Sequence, residues 1–441
     1  MVFLRRKGVT KCVKRSIILI IVGMFTACQT FAAETDEIAE LKKQLAAQNQ
    51  KLQEMQQKLE KLEAQQGNQD KTIEEKVSKA MDSKKMAAVP DSLKWAENVK
   101  FYGDFRYRHE SIDAENSGEN QPGTNHHRIR ARLGVDAKIN DEVNVGFRLA
   151  TGSSNDPSST NQTLDNGFIK KDIWLDLAYF DWHPITIERL NIYGGKMPRP
   201  FYRVGDNQLI WDDDVNPEGI AAKYVIPLTK RDNLYINGAG FWLKEDTGDA
   251  GGSAMWGAQS YLKHEFENKD YLLGGASLYA FSGLDGKSTL FRDNSGFGNT
   301  VDTVGGKTFY TMDYDVFEAF GEYGFKVGEL PTSVYGNYIR NTSATTSQDS
   351  GWLIGGIFNK AKDAGSWEIG YNYREIEKDA TLGVLTDSDF IGGGTDGKGH
   401  TFCGKYQLTK NIQMALTYFL SEKILNGDDY RRLMVDVIFK F

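Results

Sequence analysis

Apolar and polar residues alternate with a period of two along most of the chain, from residue 97 to the C-terminus. In the segment 128–135, for example, Ile129, Ala131 and Leu133 alternate with arginines. This alternation predicts β-strands with one apolar face and one polar face. Sixteen segments follow the pattern. They lie near residues 98–110, 126–139, 143–152, 168–182, 187–198, 217–228, 233–245, 254–266, 270–283, 308–326, 331–342, 350–361, 365–378, 398–408, 411–422 and 430–441.

The connections between these segments alternate in length. Those at 140–142, 183–186, 267–269, 362–364 and 409–410 are short, whereas those at 111–125, 153–167, 199–216, 283–307 and 379–397 are long. An even number of strands with short turns at one end and long loops at the other is typical of an outer-membrane barrel. About 9–11 residues per strand suffice to cross a bilayer. Residues 97–441 are thus predicted to form an all-β transmembrane barrel of about 16 antiparallel strands, surrounded by outer-membrane lipid.

The last segment is apolar at every second position and ends on an aromatic residue. Phe439 and the terminal Phe441 are its last two apolar positions. The pattern resembles the assembly signal shared by bacterial outer-membrane barrels, in which a C-terminal aromatic residue ends an amphipathic strand. The resemblance implies that the barrel assembly machinery recognises Phe439 and Phe441.

The first 33 residues have the pattern of an export signal. Six basic residues precede an apolar run at 17–25, and small residues follow the run. This order predicts a secretory signal peptide over residues 1–33, cleaved after Ala32 or Ala33. An alternative is lipidation of Cys28, because Phe25-Thr26-Ala27-Cys28 resembles a lipoprotein box. Either route takes the chain out of the cytoplasm.

Residues 34–85 repeat with a period of seven. The apolar positions of the repeat are Ile38, Leu41, Leu45, Leu52, Met55, Leu59 and Leu62. Such heptads predict an α-helical coiled coil, since a helix with so narrow an apolar stripe needs a partner helix to be stable in water. We expect self-association through two or three helices; a solvated, charged linker is the alternative. A short linker, residues 86–96, leads to the barrel.

Composition and motifs exclude several classes of protein. The net charge is −7, and an acidic chain is a poor candidate for nucleic-acid binding. Three cysteines provide neither a disulfide framework nor a CxxC metal site. The sequences GKT at 306–308 and GKS at 286–288 lack the first glycine of a phosphate loop, and HEXXH is absent. We therefore expect no enzymatic activity, no cofactor and no metal.

Basic residues gather on the polar face of the first three predicted strands. They are Arg106, Arg108, Arg128, Arg130, Arg132, Lys138 and Arg148. Because neighbouring strands lie about 4.8 Å apart, these side chains are predicted to form one basic wall of a water-filled lumen, where fixed charges set ion selectivity. The alternative is that Asp104, Glu110 and Asp136 pair with some of them, and that these pairs only hold the barrel shape.

The long connection 199–216 carries Asp212, Asp213 and Asp214 beside aromatic residues. Folded inward, it would place acidic groups opposite the basic wall and create a transverse field across a narrow neck. Polar solutes would cross such a neck more readily than apolar ones. Two alternatives stay open, because acidic runs are usually solvated loop surface and because carboxylates also bind calcium.

Three motifs point to a family. They are GGKMPRPF at 194–201, NPEGIAAKY at 216–224 and RIRARLGV at 128–135. Together with the barrel pattern they resemble the outer-membrane porins of Gram-negative bacteria that carry an N-terminal coiled coil. The resemblance implies a homotrimer of water-filled barrels, with the third loop inside each barrel and facing an arginine cluster. These groups map onto Asp212, Asp213 and Asp214 opposite Arg128, Arg130, Arg132 and Arg148. The loop lacks the Pro-Glu-Phe-Gly-Gly signature of the best-known porins, and no run of aromatic residues marks a path for sugars.

The function expected from these features is passive diffusion of ions and small hydrophilic solutes across the bacterial outer membrane, with the coiled coil in the periplasm. A different function is also compatible with the sequence. Residues 34–85 could tether the outer membrane to the peptidoglycan, which would make the protein structural. A tether and a channel differ in what deletion of that segment would change, namely attachment of the envelope or uptake of solutes.

Overall fold

The computed structural model describes residues 91–244, 252–291 and 295–441. Their main feature is a single ring of sixteen antiparallel strands. The strands are β1 (Val99–Asn116), β2 (Thr124–Lys138), β3 (Val143–Thr151), β4 (Ile173–Trp182), β5 (Leu190–Lys196), β6 (Glu218–Pro227), β7 (Asp232–Lys244), β8 (Ser253–Glu265), β9 (Tyr271–Ser282), β10 (Tyr314–Val327), β11 (Leu330–Asn341), β12 (Ser350–Phe358), β13 (Trp367–Ile376), β14 (Gly397–Thr409), β15 (Ile412–Lys423) and β16 (Asp429–Lys440).

Each strand pairs with the next one along the chain, and β1 also pairs with β16. The register of this last pairing runs from Asp104 opposite Lys440 to Ala114 opposite Tyr430. Beyond it, the backbone N–H groups of Gly103 and Phe441 each donate to the other residue's carbonyl oxygen, both at 3.1 Å. The prediction of a sixteen-stranded antiparallel barrel is confirmed.

Side chains alternate between the two faces of the ring, as the period of two requires. On β1, Phe101 is 65% exposed on the outside, whereas Arg108 and Glu110 are buried on the inside. On the outer face of β7 and β8, Trp242 and Trp256 are likewise exposed. The outer face is therefore apolar and fit to contact lipid, and the inner face is rich in charged groups.

Four short 3-10 helices accompany the strands, at Asp91–Asn98, Val204–Asp206, Gly383–Leu385 and Phe390–Gly392. No helix among the described residues is long and apolar enough to span a membrane. The signal peptide, the heptad positions and residues 86–90 of the linker lie outside the described residues. The prediction of a coiled coil, and the tether that depends on it, therefore stay predictions.

The predicted alternation of short and long connections is confirmed, and some of the predicted strand and loop boundaries are corrected. The four longest, 152–172, 197–217, 283–313 and 377–396, all lie at the same end of the ring. The first loop is shorter than predicted, because β1 continues to Asn116 and Glu115 pairs with Asn120. The strand predicted at 308–326 begins only at Tyr314, since Lys307–Tyr310 pairs with Val301–Val304 in a separate hairpin. The strand predicted from residue 168 begins at Ile173.

Candidate functional site

The connection between β5 and β6, here called L3 (residues 197–217), lies inside the ring. Its apolar side chains, including Met197, Phe201 and Trp211, are almost fully buried. The ring of Phe201 lies 4.9 Å from that of Tyr279 on the inner face of β9, and the ring of Trp211 lies 5.5 Å from it. Because burying such side chains removes a large apolar area from water, these contacts hold L3 against the inner wall.

Two polar side chains of the barrel fix the path of L3. Gln259 accepts a hydrogen bond from the backbone N–H of Tyr202 at 2.7 Å and donates to its carbonyl oxygen at 2.9 Å. Glu322 accepts from the Tyr202 hydroxyl at 3.1 Å and from the Gly205 N–H at 3.0 Å. Gly205 has a φ of 56°, and a Cβ there would come within 2.3 Å of the Tyr335 ring. Both the conformation and the close contact require glycine.

The acidic end of L3 reaches the basic wall. The Oδ1 atom of Asp214 lies 3.6 Å from Nη1 of Arg132 and 4.0 Å from Nη1 of Arg130. Its Oδ2 atom accepts hydrogen bonds from the N–H and the hydroxyl of Thr160, both at 2.9 Å. Burial alone would raise the pKa of Asp214, but the two guanidinium groups lower it below its ordinary value. L3 thus brings a carboxylate into contact with arginines of β2.

Acidic partners accompany the arginines of the wall that face L3. Asp104 binds Nη2 of Arg130 at 2.8 Å and Nε of Arg132 at 2.6 Å. Asp436 on β16 binds Nε of Arg108 at 2.7 Å. Pairing of this kind holds guanidinium groups in fixed positions. Both interpretations of the wall therefore agree with the geometry: its charges face the lumen, and they also tie β1, β2 and β16 together.

Arg106 differs from its neighbours on the wall. Its Nη2 atom donates to Oδ1 of Asn161 at 2.5 Å, and the nearest carboxylate, that of Asp436, is 4.0 Å away. The buried Nε atom of Arg106 has no hydrogen-bond partner among the described residues. Arg106 is therefore the least neutralised arginine of the wall.

A second connection, here called L7 (residues 377–396), also lies inside the ring. Asp389 binds Nη1 of Arg108 at 3.2 Å and Nη2 of Arg432 at 2.9 Å. Asp387 binds Nη2 of Arg374 at 2.7 Å. Burial would raise the pKa of Asp389, but the neighbouring arginines lower it below its ordinary value. L7 is thus held to the wall by carboxylates.

L3 and L7 also contact each other. Asp212 donates its backbone N–H to the carbonyl oxygen of Leu385 at 2.7 Å, and its carboxylate accepts from the N–H of Ser388 at 2.8 Å. Burial, together with the nearby Asp214 and Asp387, raises the pKa of Asp212 well above its ordinary value. Asp213 instead forms an ion pair with Arg203 within L3.

A cavity of about 1010 Å³ lies between these loops and the wall. It is lined by six arginines and four lysines and by seven aspartates and two glutamates, so the two signs of charge are nearly balanced. The predicted site residues that line it are Arg106, Arg108, Arg130, Arg132, Asp212, Asp213 and Asp214. Arg128 and Arg148 are not among its lining residues in the described part of the chain. Arg128 binds Glu110 at 3.2 Å, and Arg148 binds Asp176 at 2.5 Å.

Sequence reasoning missed the contribution of L7. Arg374 and Arg432 stand at inward positions of β13 and β16, and the period of two could have identified them. Asp387 and Asp389 of L7, which bind these two arginines, could not be identified from the sequence, because acidic residues in a long connection are usually solvated. Among the described residues, no group of three or more His, Cys, Asp or Glu side chains is arranged to hold a metal ion.

Phe439 and Phe441 stand on the outer face of the ring at the end of β16, and both are exposed there. The ring of Phe439 lies 6.1 Å from that of Phe105 on β1. These positions are compatible with an assembly signal, whose recognition stays a prediction.

A closed ring of sixteen strands with an apolar outer face, a charged interior and a long loop folded into the lumen defines an outer-membrane barrel of the porin class. The comparison with protein families leads to the same class. The chain belongs to the family described as "Putative porin", whose model matches residues 116–306 and 317–441. The resemblance to porins seen in the sequence is confirmed.

The fold is shared with a solved structure, that of OprB of Pseudomonas putida. OprB of Pseudomonas putida is 13% identical, with a TM-score of 0.52 over 80% of this chain and 96% of that one. OmpF of Salmonella typhi, in complex with daunomycin, is 12% identical, with a TM-score of 0.47 over 78% of this chain and 97% of that one. A loop-deletion variant of OmpT, an outer-membrane protein of Vibrio cholerae, is 13% identical, with a TM-score of 0.46 over 78% and 99% of the two chains. No curated protein matches the sequence.

Proposed function

We propose that this protein is a passive diffusion channel for ions and small hydrophilic solutes in the bacterial outer membrane. The observation that carries the proposal is the charged cavity of about 1010 Å³ inside a ring whose outer face is apolar. A passage lined by so many charged groups holds water, because burying unhydrated charge is very unfavourable. Small polar solutes would cross it by diffusion, and apolar ones would be disfavoured.

The constriction of the proposed channel lies where L3 approaches the basic wall. Arg106, Arg108, Arg130 and Arg132 contribute positive charge on one side. On the other side, L3 contributes Asp212, Asp213 and Asp214. Opposed charges of this kind produce a field across the passage, and fixed charges near the path set ion selectivity. Because the two signs are nearly balanced overall, we expect selectivity to depend on individual residues at the constriction rather than on the net charge of the lumen.

Reconstitution of the purified full chain into a planar bilayer tests the proposal. We expect stepwise increases of conductance in KCl as single channels insert. A membrane that stays sealed at every protein concentration would contradict the proposal.

A native cysteine allows the conducting path to be located. Cys403 is a free cysteine on β14 and lines the cavity. A methanethiosulfonate reagent with a permanent positive charge should react with Cys403 and change the single-channel conductance, since it adds a charged group to the lumen. The matched variant Cys403→Ser should conduct like the unmodified protein and should not respond to the reagent. Modification of Cys403, verified by mass, that leaves the conductance unchanged would mean that ions follow a different path.

The remaining features of the proposed porin concern its assembly in the envelope. We infer a homotrimer, assembled through the machinery that recognises Phe439 and Phe441, with residues 34–85 in the periplasm after removal of the signal peptide. The family membership and the exposed aromatic residues at the end of β16 support this inference. Mass spectrometry of the detergent-extracted complex gives the number of subunits, and the mass of the mature chain distinguishes cleavage after Ala32 or Ala33 from lipidation of Cys28.

A further inference from the structure

Three tyrosines form a continuous stack on the inner wall. Tyr235 on β7 and Tyr261 on β8 are directly opposite each other, and their rings are nearly parallel, with centroids 4.4 Å apart and an interplanar angle of 5°. Tyr202 of L3 stacks on the other side of Tyr261 at 5.0 Å and 30°. These three residues are called the tyrosine stack.

The stack is accessible at its two ends. Tyr261, in the middle, is only 9% exposed because the other two rings cover it. Tyr202 lines the cavity, and Tyr235 is half-buried on the inner face of β7. Among the described residues, Tyr261 is the only aromatic ring stacked on Tyr235. On the other side, Val225 of β6 is paired in register with Tyr235, and the part of the half-buried Tyr235 ring that stays exposed lies on the inner face of the barrel.

Hydrogen-bonding groups surround this aromatic surface. Glu322 accepts hydrogen bonds from the hydroxyls of Tyr202 at 3.1 Å and Tyr271 at 2.5 Å. The hydroxyls of Tyr235 and Tyr261 make no hydrogen bond to any described residue, so they can serve a solute as donor and acceptor. The surface thus combines an apolar face with polar groups at its edge.

Two lysines stand beside the stack on the same inner face. Lys223 on β6 is paired in register with Asn237, two positions from Tyr235. Lys263 follows Tyr261 by two positions on β8, and its ammonium group lies 4.6 Å from the centroid of the Tyr271 ring. Positive charges on both flanks disfavour an organic cation, although cations otherwise bind well to aromatic rings.

We propose that the tyrosine stack is a binding subsite for the pyranose ring of a sugar within the lumen. A pyranose has an apolar face of C–H groups that can cover an aromatic ring, and hydroxyls around its edge that can bond to tyrosine hydroxyls and a carboxylate. An inorganic ion has no such face, and a purely apolar solute is disfavoured by the charged passage. The subsite rests on the proposed function, since a solute reaches it through the channel.

Block of the ion current by sugars tests the subsite. D-glucose should lower the KCl current of the reconstituted full chain in a saturable manner. Mannitol has six carbons and six hydroxyls but no ring, and it should lower the current only as far as it raises the viscosity. Equal effects of the two solutes would overturn the proposal. A saturable block by choline without one by glucose would assign the stack to organic cations and would also overturn it.

Variants of Tyr235 test whether glucose blocks the current by binding at the tyrosine stack. Tyr235→Leu keeps an apolar side chain but removes the aromatic face, and it should raise the half-blocking glucose concentration by about fivefold, within the range of aromatic stacking contributions. Tyr235→Phe keeps the ring and should stay within about twofold of the wild type, since one hydroxyl hydrogen bond contributes little net free energy. Tyr193→Leu is the matched control, because Tyr193 pairs with Tyr179 outside the stack.

The outcomes separate the subsite from the channel itself. KCl conductance without glucose shows that each variant is inserted and open. An unchanged glucose block in Tyr235→Leu, or an equal loss in Tyr193→Leu, would overturn the subsite while leaving the channel intact. If Tyr235→Leu fails to insert, the comparison of glucose with mannitol on the wild type still decides the proposal. Absence of KCl conductance in the wild type would instead contradict the proposed function.

Discussion

Ion selectivity should respond to a single charge at the constriction. The most informative substitution is Arg132→Gln, because Arg132 lines the cavity and contacts both Asp104 and Asp214. The fold should tolerate the change. Asp104 keeps its bond to Arg130 at 2.8 Å, and Asp214 keeps both hydrogen bonds from Thr160.

The size of the effect follows from Coulomb's law. An ion about 7 Å from a unit charge in water interacts with it by about 0.6 kcal/mol, close to RT. Removing the positive charge of Arg132 therefore raises the local K⁺ concentration and lowers that of Cl⁻ by about a factor of three each, so their ratio changes by nearly tenfold. The reversal potential in a KCl gradient should shift by some tens of millivolts toward the value for a cation-selective channel.

The assay is the reversal potential of reconstituted channels between about 0.1 M and 0.01 M KCl, where the Debye length is about 10–30 Å. At about 1 M KCl the Debye length is about 3 Å, and the shift should become small. The control is Arg148→Gln, because Arg148 belongs to the same basic wall but binds Asp176 away from the cavity. An unshifted reversal potential for Arg132→Gln, or equal shifts for both variants, would refute the reasoning.

Three further predictions concern stability, pH and assembly. Asp389→Asn removes the carboxylate that two buried arginines share, and we expect the free energy of unfolding to fall by about 3 kcal/mol. The control Asp429→Asn removes an exposed ion pair and should lower it by less than about 1 kcal/mol. Both values are measured by urea unfolding in vesicles. Although burial opposes it, the adjacent arginines hold the pKa of Asp214 below 3.8, so its contribution is complete above about pH 4 and is lost as the pH falls through the lowered pKa. In the background of Asp212→Asn, which removes a cavity carboxyl group whose pKa is raised, reversal potentials should accordingly stay constant from about pH 7 to 5 and shift toward anions in stronger acid; a shift already complete at about pH 6 would assign the titration to another group. Deletion of Phe441 should lower the amount of barrel in the outer-membrane fraction, measured by heat-modifiable gel mobility, and normal amounts would remove this residue from the assembly signal.

The strand count and the inward position of the arginines were predictable because both follow from a local rule. A residue's parity within a strand decides which face it occupies, and the alternation around Arg130 and Arg132 was regular. Their partners were less accessible to sequence reasoning. Asp104 is close to them along the chain, but Asp436 and Asp389 reach the wall only because the ring closes and L7 folds inward.

The tyrosine stack shows why some sites leave no trace in the sequence. A search for a run of aromatic residues finds nothing, since each strand contributes one ring. Tyr235 and Tyr261 meet because their strands are in register, and Tyr202 joins them only through the path of L3. A contact of this kind depends on register and loop path together, and neither is encoded within a short window of residues. The predicted strand boundaries were wrong where local patterns continued into loops, as at residues 308–313.

The pairing of β1 with β16 has a consequence for biosynthesis. Arg108 and Asp436, which are bonded across that junction, are 328 positions apart in the chain. Strands β1 and β16 therefore meet only after the whole polypeptide has been synthesised, and contacts of such long range form slowly. A message that ends before Asp429 would lack β16 and yield a sheet with two unpaired edges, which invite aggregation. Premature stop codons in this gene should thus abolish the protein outright and burden the periplasmic chaperones, instead of producing a shortened pore.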